Sequence, residues 1–158
     1  MKPALFVAVC FCIFSLVADA GDEKVLDETL ATLAHGQGSI ADIEGVINSL
    51  RDSESADEKA EMLRIADSLI VYTWGEVPMI EMLKDQGCGL KCPNSIRLKN
   101  FVLVYMDGDI SNKFLERLRA CEEACHGKLA IAAHQLIAEA TLLLGANARL
   151  VQALPAQR

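Results

Sequence analysis

Four cysteines in two identically spaced units, Cys88-x-x-x-Cys92 and Cys121-x-x-x-Cys125, are the residues of this 158-residue chain best suited to chemistry. Thiols at such spacing can close disulfides, hold a metal or exchange electrons. Zinc would have Cys125, His126 and the nearby Glu122 as further donors. Redox catalysis calls for Cys-x-x-Cys in a strand-and-helix setting, which this chain lacks. The choice among the three rests on the compartment in which the cysteines live.

That compartment is written at the start of the chain. "MKPALFVAVCFCIFSLVADA" has a lysine, an apolar run from Ala4 to Val17 and an Ala18-Asp19-Ala20 cleavage triplet, the three parts of a secretory signal peptide over residues 1–20. The run falls short of a bilayer span. Removing it takes Cys10 and Cys12 away and leaves an even set of four cysteines in a single domain, residues 21–158. In an oxidising compartment these thiols are read as disulfides, with no metal and no cofactor.

Other candidate chemistry does not assemble. His126 after Cys125 is followed by Gly127, not the aspartate that a secreted phospholipase needs, and no glycine-rich calcium loop precedes it. His126, His134 and Glu139 do not share a tight helix face. "MDGDISNKFLE" lacks the calcium-loop glycine where Asn112 stands and the glutamate where Leu118 stands. No nucleophile elbow, metalloprotease helix or phosphate loop occurs. The expectation is that no residue is catalytic and the protein is not an enzyme.

The elements that must position the cysteines read as helices. Leu26, Leu30 and Leu33 share one face before a stop at Gly36; Ile40, Ile43, Ile47 and Leu50 share the next, with Ser39 as N-cap. Ser55 and Glu58 open a third helix carrying Met62, Ile65, Leu69 and Tyr72 inward and ending near Trp74-Gly75, with Trp74 in the core. Pro78 begins a short helix that stops at Gly87. "FVLVY" leaves residues 94–106 open between helix and strand, and Asp107-Gly108-Asp109 signals a turn. From Phe114 the series Leu118, Cys121, Cys125, Leu129, Ala132, Leu136, Ala140, Leu143 predicts one long helix ending at Gly145, bent at Gly127. The fold class is all-α, a small disulfide-stapled helical bundle.

Cys92 lies fifteen residues before Asp107 and Cys121 fourteen after it. With helical flanks folding back at that turn, the pairing expected is nested, Cys88–Cys125 and Cys92–Cys121, each bond stabilising by about 3–4 kcal/mol through loop-closure entropy. This twin unit resembles, at the level of the motif alone, the helical hairpins of small mitochondrial translocase chaperones, the alpha-hairpinin peptides of plants and helical hairpin toxins of venoms. The chaperones carry no cleaved secretory signal, and the peptides have a shorter gap between units. The resemblance covers about a third of the mature chain and implies a staple, not an activity.

Charge and composition narrow the partners. From Asp22 to Glu61 there are eleven acids against three bases, and the whole chain carries a net charge of -7. Nucleic acid and anionic membrane surfaces are poor partners for such a chain. No second apolar run is long enough to span a membrane, and the C-terminal tail from Leu142, interrupted by Arg149 and ending polar, fits a lipid-anchor signal poorly. The reading is a secreted, extracellular interaction or effector protein with an unknown extracellular protein partner, of the kind found in venom, defence, reproduction or matrix. The alternative is a carrier of a small apolar molecule, since 52% of the residues are hydrophobic. A homo-oligomer seam along the heptad-like stripe is a third use of the same helix.

Overall fold

The computed structural model describes residues 20–51 and 55–155, and the expected signal peptide with Cys10 and Cys12 lies outside them. The fold is all-helical. Helix α1 spans Ala20–Ser49 and α2 spans Ala56–Asp85. A 3-10 turn, Gly89–Lys91, leads to α3, Ser95–Phe101. A π-helical segment, Val102–Phe114, runs on without a break into α4, Leu115–Ala124. Helix α5 spans Gly127–Ala153.

Side-chain contacts give the topology. Lys84 pairs with Asp27, and Lys59 Nζ donates to the Leu50 carbonyl at 2.6 Å, so α1 and α2 are antiparallel neighbours. Ser39 Oγ donates to Glu139 at 2.6 Å and Gly36 faces Leu143, which sets α5 antiparallel to α1. Lys99 reaches the Pro155 carbonyl at 3.1 Å and His134 meets Glu122 at 2.8 Å, placing α5 antiparallel to the 95–124 rod. The result is an up-down-up-down bundle of four rods.

The rod of residues 95–124 lies along α2 over its whole length. The Phe101 ring sits over Gly75, and Tyr105 and Phe114 flank Tyr72 with ring centroids 6.2 Å away. Arg117 donates to Glu61 at 2.9 Å, and the Cys121 thiol lies 3.9 Å from the Glu58 carbonyl. Bonding from i to i+5 gives somewhat more than four residues per turn. The spacing Phe101, Tyr105, Ile110, Phe114 matches that period, so the wide helix keeps returning these side chains to α2 where an α-helix would carry them round the side. Tyr72 Oη donates to Asp109 at 2.8 Å, and Lys113 holds the other Asp109 oxygen at 2.6 Å.

Several sequence expectations are corrected here. The Asp107–Asp109 stretch is not a turn but the middle of the rod, and residues 94–106 form no strand. Helix α1 passes through Gly36, which is needed for close approach: an added Cβ would stand 3.0 Å from Leu143 Cδ2. Ser39 is mid-helix and serves Glu139 instead of a cap. Helix α2 continues through Gly75 and Pro78. The long last helix is broken at Cys125-His126, where Gly127 takes φ +60°, a conformation that glycine adopts readily. The inward series itself holds: Leu26, Leu33, Ile40, Ile43, Ile47, Met62, Ile65, Leu69, Leu118, Leu129, Leu136 and Leu143 are all buried.

Burial and the Asp109 bond push the Tyr72 hydroxyl up to about 12. Because the folded value is raised, this contribution to stability is complete below the unfolded tyrosine value and is lost as pH climbs through the folded one. Tyr72→Phe should cost about 1–3 kcal/mol at pH 7 in urea unfolding. The gap between wild type and variant should close between about pH 10 and 12.

Candidate functional site

The four cysteines are divided between opposite poles of the bundle. Cys88 and Cys92 are bonded to each other within the first unit, with Cα atoms 5.3 Å apart. Cys92 packs near the Leu83 carbonyl at the end of α2, whereas Cys121 lies against Glu58 at its start. Those two positions are about 37 Å apart at 1.5 Å per residue. The expected bonds Cys88–Cys125 and Cys92–Cys121 are therefore replaced, because the rod between the units does not fold back. Cys121 and Cys125 are buried thiols. Burial pushes the Cys121 thiol up to about 11 and raises that of Cys125 as well.

The other residues weighed for chemistry do not converge. His126 is an exposed residue at the head of α5, and His134 pairs with Glu122 on the surface. Glu139 is engaged by Ser39 from α1. Among the described residues no group of three His, Cys, Asp or Glu side chains is placed to hold a metal ion.

What does converge is an apolar face on α2 that the core periodicity passes over. Val71, Trp74, Pro78 and Met82 recur at three- and four-residue steps on the side of α2 away from its buried stripe of Leu69, Thr73, Ile80 and Leu83. Trp74 is 63% exposed, Val71 55% and Met82 37%. The expectation that Trp74 belongs to the core is thus corrected. The signal was present in the sequence: α2 has apolar residues at the phases of two faces, and only one can point inward. Pro78 is accommodated because its ring stands on the solvent side. The face is about 17 Å long from Val71 to Met82. Exposed Asp67 and Asp85 stand one turn beyond its ends, with exposed Glu81 beside Pro78 and Met82.

Surface grooves elsewhere have charged lips. One of about 310 Å³ between α1 and α5 is lined by Ser39, Asp42, Ile43, Gln135 and Glu139. Another of about 390 Å³ between α2 and α4 is lined by Asp57, Glu58, Glu61 and Arg117. Carboxylates at the mouth suit an apolar ligand poorly. Helix α5 is, by length and hydropathy alone, apolar enough to cross a bilayer, where no second run of that length was expected. In the bundle its stripe of Leu129, Leu136, Leu143 and Leu150 is buried.

The lone tryptophan should emit as a solvated indole and be quenched freely by iodide. Trp74→Ala should change unfolding free energy by less than about 0.5 kcal/mol, as for other exposed positions. Leu69→Ala, one turn away but fully buried, should cost about 2–5 kcal/mol. Equal losses in the two variants would place Trp74 in the core after all. No protein-family model, curated protein or solved structure matches this chain.

Proposed function

We propose that the chain is a secreted, non-enzymatic interaction protein that engages a partner protein through the Val71–Met82 face of α2. The observation that carries this reading is Trp74, a large side chain left in water on a rigid helix among other apolar residues. An isolated exposed leucine needs no explanation, but a row of apolar side chains centred on tryptophan is the composition of an interface anchor. Helix α2 is held on both flanks by α1 and the 95–124 rod, so the face is presented without an ordering cost.

Charge specifies the partner further. Asp67, Glu81 and Asp85 border the face and the chain is net acidic, so the complementary surface is apolar at its centre and basic at its ends. A helix or extended segment with that pattern fits.

The test uses synthetic 14-residue helical peptides and the Trp74 emission. A leucine–lysine amphipathic peptide should shift the emission to the blue and bind more weakly as salt is raised. A leucine–glutamate peptide of the same apolar face should bind at least tenfold more weakly. Trp74→Ala, followed by calorimetry, should weaken the leucine–lysine peptide by roughly 30-fold or more, the loss of an anchor worth ~2 kcal/mol. Equal binding of both peptides, or indifference to Trp74→Ala, would remove this face from the function. If sedimentation shows a concentration-dependent dimer that buries Trp74, the occupant is a second copy and not a basic partner.

A further inference from the structure

Cys121 and Cys125 share with the bonded pair the four-residue spacing and an extended second cysteine, the first unit turning through a 3-10 turn and the second through the last turn of α4. In the first unit Cys88 has helical backbone angles, φ −102° and ψ −1°, and Cys92 leaves in an extended conformation with ψ 147°. In the second, Cys121 is in the last turn of α4, and Cys125 leaves extended with ψ 164°. The Cys125 amide donates to the Cys121 carbonyl at 3.0 Å, so one helical turn separates the two residues. A turn spaces Cα atoms by about 6 Å, within the range of roughly 4.4–6.8 Å over which disulfides close. Both thiols face the start of α2: the Cys121 thiol lies 3.9 Å from the Glu58 carbonyl, and Ser55 and Glu58 are among the residues around Cys125. Cys125 is among the groups that raise the Cys121 thiol.

We propose that Cys121 and Cys125 are a disulfide-forming pair, closing within their own unit as Cys88 and Cys92 do. The oxidant is a low-molecular-weight disulfide such as oxidised glutathione. The Cys125 thiolate attacks one sulfur of that disulfide and expels the first thiolate, leaving a mixed disulfide on Cys125. Cys121, deprotonated, then attacks Cys125 Sγ and expels the second. The two protein thiols give up two protons and two electrons, and the external disulfide becomes two thiols. Either order of attack gives the same product. The product fastens the last turn of α4 to the corner at Gly127.

Peptide mapping of the mature chain decides the matter without reference to any binding partner. The protein is equilibrated in a mixture of reduced and oxidised glutathione, free thiols are capped with iodoacetamide, and the non-reduced chain is digested with trypsin. The tryptic peptide 120–128 contains both Cys121 and Cys125. It should appear uncapped and lighter by two hydrogens than its reduced form, while peptides 85–91 and 92–97 appear joined through Cys88 and Cys92. The same loss of two hydrogens should persist in Cys88→Ser, which removes the first bond. Joining of 120–128 to either of the other peptides would overturn the proposal in favour of cross-unit pairing. Recovery of 120–128 with two caps, in a mixture that fully oxidises Cys88 and Cys92, would also overturn it. In Cys125→Ser, peptide 120–128 should carry one cap and no link to another peptide.

Discussion

Tyr72 pins the seam between α2 and the 95–124 rod. Its hydroxyl donates to Asp109 and its ring is stacked on Phe114, so two points of the 95–124 rod just over a helical turn apart meet one residue of α2. Around it the seam is continued by Phe101 over Gly75, by Arg64 above the Phe114 ring at 5.7 Å, and by the Arg64–Glu61–Arg117 network. This register requires the rod to present an inward side chain at every turn, and residues 102–114 meet it by winding as a π-helix. The separation of the cysteine units follows directly. A rod held flat along α2 cannot bring Cys92 back to Cys121.

The same seam explains which parts of the fold were legible in the residues. Apolar positions spaced by three and four residues point to the buried leucines and isoleucines of α1, of the first half of α2 and from Leu118 to Leu143, because burial against a neighbouring helix is what that spacing encodes, but Ile80, Leu83, Leu98, Ile110 and Leu115 lie in stretches where that spacing is interrupted. Punctuation was less informative. Gly36, Gly75 and Asp107-Gly108-Asp109 resemble stops, but Gly36 and Gly75 admit Leu143 and Phe101, and Asp109 is held by Tyr72 and Lys113. Local turn preference is worth about a kilocalorie per residue, and packing along a whole helix outweighs it. The inward residues of 101–114 recur at a period above four, which matches neither α-helix nor strand spacing, so "FVLVY" reads as either. Residue type favours Trp74 inward, but its phase on α2 points outward.

A rigid scaffold and an exposed apolar face are complementary properties. The face on α2 stays in water because its helix is already committed on its buried flank to Ile65, Leu69, Ile80 and Leu83. Charged residues at its borders keep it from spreading into a larger sticky surface. In the interaction proposed above, specificity would come from spacing: residues 71, 74, 78 and 82 lie at fixed intervals along one helix face.

The topology also has a mechanical consequence. The Ala20 end of α1 and the Ala153 end of α5 lie at the same pole, since these helices run antiparallel with Gly36 opposite Leu143. Force applied to those two ends would act across the α1–α5 seam and not along it. Contacts would then open one after another, beginning near Leu26 and Leu150 and travelling inward like a zipper. The bundle would therefore yield at low load when stretched by its ends. The Cys88–Cys92 bond spans a single turn outside both helices and would not stop the tear.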